Sequence, residues 1–427
     1  MGRRGWSKFS GRILISVGLM ASLAKPALAE DTALEIRPSE RVEVVTRGRA
    51  AKQPAVLTPG LRPAEIPVGP GSTSPTVYAE ETGFILSWLE PVSPAGWSLR
   101  WARYDGARWS EAQEAVSGQR ILANPHDRAG VVPLGNGRLL AYWLEMSPCG
   151  GHAYGVQMAR STDGGQTWGQ PFALHDDEAP VEHGFVSVIP QRGGATIFWL
   201  DGSRSPSEAD YRTTLWSREM SRDGELDEPR TLDGLTCDCC QTTAVTTRKG
   251  WTVFYRDRTE AEIRDISRVS KGRWWVNAAE RLHDDGWEIA GCPVNGPQAH
   301  SEGKKVWVTW PTFAHDEGKI EVMTSADGAR TFDGPWLLKT GDKPLGRVAI
   351  SPTLEGEAMV AWLQRGERRL EIVTREVGLD GTLGPVVVRV QGTPILASGV
   401  PRLVKGGDAL WLFYVDGEGV KAGVLKD

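Results

Sequence analysis

Seven aromatic residues recur along this chain at nearly constant spacing: Trp88, Trp143, Trp199, Tyr255, Trp310, Trp362 and Tyr414. The gaps are 55, 56, 56, 55, 52 and 52 residues. Each aromatic ends, or nearly ends, an apolar strand-like run: FILSW, LLAYW, ATIFW, TVFY, VWVTW, MVAW and LWLFY. A period of this length belongs to arrays of one supersecondary unit, in which each unit buries its apolar face against its neighbours.

Within a unit the pattern reads as four short strands. In the second, 128–132, 138–143, 154–160 and 170–174 carry strand-like alternation between turn residues. Similar sets begin near Pro75, His183, Cys240, Val294, Gly346 and Val400. The fold class predicted is all-β, a single β-propeller of four-stranded blades. Seven units are counted, with six blades as the alternative. The last unit has room for only three strands. A strand from the chain start, at 34–46 or 54–58, is expected to complete it and hide the sheet edge. Residues 47–73 are rich in Pro, Gly and Arg and read as a linker. The expected division is therefore 30–73 for the early strand and linker, and 74–427 for the propeller.

The start of the chain reads as a signal peptide over 1–29. Arg3, Arg4, Lys8 and Arg12 precede a short apolar stretch from Ile13 to Ala24, and Ala27-Leu28-Ala29 gives a cleavage pattern. The apolar stretch is too short to span a membrane. A periplasmic or secreted location is expected. Cleavage removes five positive charges (with Lys25) and takes the net charge from −5 to −10. That balance argues against nucleic acid and anionic membranes as partners.

The turn between third and fourth strands carries the most specific motif. Ser161-Thr162-Asp163-Gly164-Gly165-Gln166-Thr167-Trp168 matches the Asp-box pattern S-x-D-x-G-x-T-W, and Ser325 to Phe332, with Asp327, is a near match. The Asp accepts backbone hydrogen bonds, Gly165 supplies a positive φ, and the terminal aromatic packs back on the blade. On these residues the chain resembles the Asp-box, or BNR-repeat, propellers of the sialidase superfamily. That resemblance implies ligand binding on the face opposite the Asp-boxes, and a glycan or small acidic ligand. The family's F/Y-R-I/L-P motif is absent, Leu61-Arg62-Pro63 being the nearest string, and no Tyr–Glu nucleophile pair can be assigned.

Propeller geometry then sorts the unusual residues. Loops after second strands and loops entering first strands share the face opposite the Asp-boxes. All five Cys and six of the seven His fall there; His300 reads as lying within a strand. Cys237, Cys239 and Cys240 enter the fourth unit, Cys292 enters the fifth, and Cys149 follows Trp143. Disulfides are the default for an exported chain. A bond from Cys292 into the 237–240 cluster is expected, with Cys149 left over. A copper(I) or zinc(II) site on the same thiols is the competing reading, and a redox thiol a third. Arg256, Asp257, Arg258, Glu262, Arg264 and Asp265 form the other cluster, after Tyr255. Arg is suited to a ligand carboxylate, while internal salt bridging that braces the loops is the competing reading. Three functions stay open at this point: a ligand-binding propeller, an exo-sialidase-type glycoside hydrolase, and a periplasmic metal or thiol protein.

Overall fold

The computed structural model describes residues 55–425 apart from 149–152, 178, 192, 206, 208–209, 249 and 393–398. The expected signal peptide, the early strand at 34–46, Cys149 and His152 lie outside the described residues. Strands group into seven sheets, each led by an innermost strand. These innermost strands are Thr73–Ala79, Gly130–Gly135, His183–Gln191, Thr243–Thr247, Gln298–Glu302, Pro344–Pro352 and Arg402–Gly406. Each contacts the next, and the last contacts the first, so the ring is closed around a channel. Among the described residues there is no α-helix, only the short 3-10 turn Ala314–Asp316. The protein is thus a seven-bladed β-propeller, and the six-bladed alternative is excluded.

The aromatic period has one packing role repeated seven times. Trp88, Trp143, Trp199, Tyr255, Trp310 and Trp362 are at most 1% exposed, and Tyr414 is 5% exposed. Each packs against residues of the preceding blade: Trp143 on Ile85 and Trp101, Trp310 on Phe254 and Ile266, Tyr414 on Ala361 and Ile372. Trp88 packs on Trp411 and Phe413 of the last blade and so seals the ring. A buried aromatic of this size contributes on the order of 2–3 kcal/mol by transfer alone. The period is legible because blade-to-blade contact is the only long-range contact a propeller needs.

Closure uses an early strand, but neither of the two expected. Leu61–Ala64 pairs antiparallel with Val420–Leu425 and gives the seventh blade its fourth strand. The 54–58 stretch instead places Val56–Leu57 on the outer edge of the sixth blade, paired with Gln391 and Val390. Both strands lie inside the segment that reads as a linker. Pro63 is tolerated because it sits on an edge strand, where one side of the ladder is unpaired. Gly423 makes the approach possible, since a Cβ there would sit 2.6 Å from Leu61 Cγ.

The Asp-boxes are turns held by their own side chains. Asp163 Oδ1 accepts from Thr167 N at 3.0 Å and from Ser161 Oγ at 2.8 Å, and its Oδ2 accepts from Thr167 Oγ1 at 2.6 Å. Asp327 repeats the set with Thr331 N at 3.0 Å, Ser325 Oγ at 2.9 Å and Thr331 Oγ1 at 2.7 Å. The position of Gly165, φ 89°, is taken by Ala329 in the second box at φ 63°. Trp168 packs beneath the first two blades, and Phe332 meets Phe254 edge-on. Hydrogen bonds, led by the Thr167 hydroxyl, hold the Asp163 carboxyl down to about 2. Asp163→Ala should therefore lower the melting temperature at pH 7 and leave ligand affinity on the opposite face unchanged. A depressed folded pKa stabilises above the unfolded value of 3.8 and ceases to do so as pH falls through about 2. The wild-type and Asp163→Ala melting curves should thus draw together as pH falls from about 4 and converge only at about pH 2.

Candidate functional face

The Arg/carboxylate cluster lies on the expected face, but its guanidinium groups have internal partners. Arg256 ends the second strand of blade 4 and is 1% exposed. Its Nε donates to Asn295 O at 2.8 Å, Nη1 to Arg264 O at 2.6 Å and Nη2 to Pro311 O at 2.6 Å. It also stacks 4.7 Å from the Trp287 ring. Asp265 accepts from Gly286 N and Trp287 N, both at 3.0 Å, and so holds that ring in place. Glu262 lies between Arg258 (2.6 Å) and Arg264 (2.8 Å). Asp238 takes the other side of the same two arginines, at 3.1 and 3.5 Å. Asp257 accepts from Arg258 N at 2.8 Å and Ser267 Oγ at 3.0 Å. The six residues come together as one network whose donors are spent on bracing.

That network surrounds the cysteines. Cys237 pairs with Cys240 and Cys239 with Cys292, with Cα–Cα separations of 5.7 and 5.9 Å. Both suit a disulfide. The expected link from Cys292 into the cluster is present, through Cys239. Arg264 Nη1 donates to Cys237 Sγ at 3.4 Å. Cys237 and Cys240 are buried, while Cys239 and Cys292 are half-buried.

The channel mouth on the same face carries residues that the sequence did not single out. Strand register defines its levels. The residue before each repeat aromatic pairs with Thr76, Gly130, Ser187, Thr243, Gln298, Ala349 and Arg402 in turn. Two residues earlier come Ser74, Arg128, Phe185, Gln241, Gly296, Arg347 and Val400. Ser74, Phe185 and Arg347 there share a left-handed backbone, φ 55, 55 and 58°. Side chains staple neighbouring blades at this level. Asp127 Oδ1 accepts from Phe185 N at 2.7 Å, Gln241 Oε1 from Gly296 N at 2.9 Å and Asn295 Oδ1 from Arg347 N at 3.0 Å. Gln241 Nε2 reaches the His126 carbonyl at 3.1 Å.

Three arginines, Arg128, Arg347 and Arg402, belong to this mouth, and none has an ion pair within 4 Å among the described residues. Arg128 Nε and Nη1, Arg402 Nη2 and His126 Nδ1 are buried atoms without a hydrogen-bond partner. Burial, then Arg347 and Arg128, push the His126 imidazole down to about 2. Burial also lowers Arg347 to about 10, so it stays charged at neutral pH. Tyr78 and Tyr142, whose hydroxyls meet at 3.1 Å, lie beside Arg128. These are isolated arginines far apart in sequence, and only ring closure gathers them.

Two further clusters sit at blade entrances. His283 Nδ1 is 2.7 Å from Asp285 Oδ1, Trp310 Nε1 donates to Asp285 Oδ2 at 2.8 Å, and Glu321 lies close by. His175, Asp177 and His183 meet at the entrance of blade 3.

Burial raises three carboxyls on this side. Asp127 goes to about 7, Glu321 to about 7 with help from Asp285, and Asp257 to about 6 with help from Asp233. A folded pKa above the unfolded value, 3.8 or 4.5 here, gives stability that is complete below that value. It is lost as pH rises through the folded pKa. Thermal stability should therefore fall between about pH 4 and pH 7, and Glu321→Gln should flatten the fall. Scanning calorimetry across that range checks this; a stability that rises toward pH 8 would contradict it.

No family model matches the chain. Riboflavin biosynthesis protein RibD of Chlamydia pneumoniae is 38% identical over 73 residues. The match spans 16% of this chain and only 19% of that protein's length. Among solved structures, a mutant of NanB sialidase from Streptococcus pneumoniae aligns over 86% of this chain and 94% of its own, at 8% identity and a TM-score of 0.44. A leech intramolecular trans-sialidase aligns over 80% and 82%, at 10% identity and TM-score 0.43. A family PL25 ulvan lyase aligns over 82% and 80%, at 11% identity and TM-score 0.43. No residue role is taken from these likenesses, and the fold assignment rests on the strand topology. The strand topology gives a seven-bladed ring, and the two Asp-box turns lie where the sequence places them.

Proposed function

We propose that this chain is an exported propeller that binds a small acidic ligand, an acidic sugar above all, at the channel mouth opposite its Asp-boxes. One observation carries the reading. Arg128 and Arg347 both act on His126 and Arg402 stands one level further along the strand register, none of them with a carboxylate within 4 Å among the described residues, and Arg128 and Arg402 have buried N–H groups that donate to nothing. A buried, unpaired guanidinium is costly, and a ligand carboxylate is the group that relieves it. The surrounding net charge of −10 after leader removal makes a local positive site the exception on this protein. Export is supported by the paired cysteines, since disulfides persist in oxidising compartments.

Isothermal titration with N-acetylneuraminate and glucuronate, each against a neutral sugar, tests the reading. Binding selective for the acidic sugars is expected. Arg128→Met should weaken it about tenfold or more, because one charge-assisted hydrogen bond is worth roughly 1.5–3 kcal/mol. The same substitution should leave the melting temperature unchanged or raised, as it removes an unpaired buried charge. Absence of acid-selective binding, or full affinity in Arg128→Met and Arg402→Met alike, defeats the proposal. Release of a fluorogenic aglycone from a sialoside would move the protein to the glycoside-hydrolase alternative.

A further inference from the structure

We propose that His175, Asp177 and His183 form a binding site for a first-row divalent cation such as zinc(II), at the entrance of blade 3. His175 and Asp177 sit on the loop after Phe172–Ala173, and His183 opens the innermost strand His183–Gln191. One ligand atom from each lies within 4.8 Å of the others. The site lies at the start of the innermost strand that carries Phe185, and it uses none of the cysteines, which are paired with one another.

Hydrogen-bond contacts hold both rings to Asp177, His183 Nε2 to its Oδ2 at 3.2 Å and His175 Nδ1 to its carbonyl at 3.0 Å. The two imidazoles stack at 3.7 Å, 3° from parallel, each with one nitrogen within 3.6 Å of Asp177 Oδ2, so binding one cation through both nitrogens needs a tilt of one ring. His183 Nε2 is 3.2 Å from that oxygen and His175 Nδ1 is 3.6 Å from it. Asp201 Oδ1 is 3.7 Å from the same His183 nitrogen. A ring nitrogen carries at most one proton, so His183 Nε2 can serve only one of two carboxylates. Tetrahedral zinc with bonds of 2.0–2.1 Å places its ligand atoms about 3.3–3.4 Å apart. The two nitrogen-to-oxygen separations within the set, 3.2 and 3.6 Å, are of that order. Two imidazoles and a carboxylate are a donor set for zinc and its neighbours, rather than for calcium or magnesium.

The supporting residues are already in place. His183 and Asp201 are register partners on adjacent strands. Asp201 is oriented by Trp199 Nε1 at 2.8 Å and Ser203 N at 2.9 Å, as an outer carboxylate of a metal site is. Gly155 makes room for His175, since a Cβ there would lie 2.5 Å from Nε2. His175 Nδ1 is 3.0 Å from the Asp177 carbonyl, while its Nε2 is buried with no partner. Coordination at Nδ1 would replace its contact with the Asp177 carbonyl and leave the proton on Nε2. The His183 side chain is 1% exposed and that of His175 12%, but Asp177 is 36% exposed. A cation can therefore enter past Asp177, and a fourth position stays open toward solvent.

The test is titration of the chelator-treated, disulfide-intact protein with cobalt(II) and then zinc(II). The expected result is one equivalent of cobalt(II) with visible ligand-field bands, no sulfur-to-cobalt charge-transfer band, and displacement by zinc(II). Zinc should also raise the melting temperature. Asp177→Asn, which keeps an oxygen for the Ala179 N–H, should weaken binding about tenfold or more, and His183→Gln should do the same. A sulfur charge-transfer band would place the metal on the cysteines and overturn the proposal. So would no bound cation, or wild-type affinity in both variants.

Discussion

Arg256→Ala is expected to cost the fold more than any other single substitution on the candidate face. Arg256 donates three hydrogen bonds to carbonyls of three separate segments, at Asn295, Arg264 and Pro311. It thereby ties the second strand of blade 4 to the entrance of blade 5 and to the second strand of that blade. Alanine leaves these acceptors buried without a donor, at about 1–3 kcal/mol each. It also opens a cavity under Trp287, which the guanidinium covers at 4.7 Å. A total on the order of 4–6 kcal/mol follows from these terms. Arg256→Lys should rescue little of it, because an ammonium lacks the planar fork that reaches three directions at once. Arg258→Ala is the contrast. Arg258 is half-buried with a side chain 15% exposed, and it shares Glu262 and Asp238 with Arg264. Its loss should cost about 1–2 kcal/mol. Urea denaturation of the three variants measures the order. Equal, small losses for Arg256→Ala and Arg258→Ala would return the cluster to the role of ligand site.

This contrast shows where sequence reasoning stops. A run of three arginines and four carboxylates over 256–265 is visible in the chain. Which carbonyls Arg256 meets is not, because Asn295 and Pro311 lie 39 and 55 residues away. The blade count was legible for the opposite reason. Trp88, Trp143 and their successors make the same contact at every blade, so the contact writes itself into the sequence as a period. Closure was legible as a need but not as a place. Leu61-Arg62-Pro63-Ala64 is short and contains proline, and its strand character comes entirely from Val420–Leu425 at the far end of the chain. The channel arginines had no local signal at all. Arg128, Arg347 and Arg402 stand alone in sequence, and two adjacent levels of the strand register, Arg128 with Arg347 and then Arg402, relate them only once the ring is closed. The histidines lie between these extremes. His175 and His183 were assigned to the right face, and their stacking on one carboxylate is a property of the folded loop.

The two disulfides should differ in what they contribute, by an amount that sequence separation sets. Cys239–Cys292 links the entrance of blade 4 to the entrance of blade 5 and closes a loop with a separation of 53 residues. The loop-entropy estimate for that span is roughly 4 kcal/mol. Cys237–Cys240, with a separation of 3, restrains far less of the unfolded chain, roughly 2 kcal/mol on the same estimate. Replacing Cys239 and Cys292 together with serine should therefore lower stability about twice as much as replacing Cys237 and Cys240 together. Burial works against this order, since Cys237 and Cys240 are 0% and 1% exposed and each serine there would bury a hydroxyl. Alanine pairs at the same positions separate the two effects, because alanine leaves no buried polar group. Peptide mapping of the unreduced protein under alkylation should return Cys239 joined to Cys292 and Cys237 joined to Cys240. Free alkylation of all four thiols, with stoichiometric copper or zinc in the purified protein, would give the cluster to a metal instead. The alanine pair at 239 and 292 would then destabilise only the metal-loaded form.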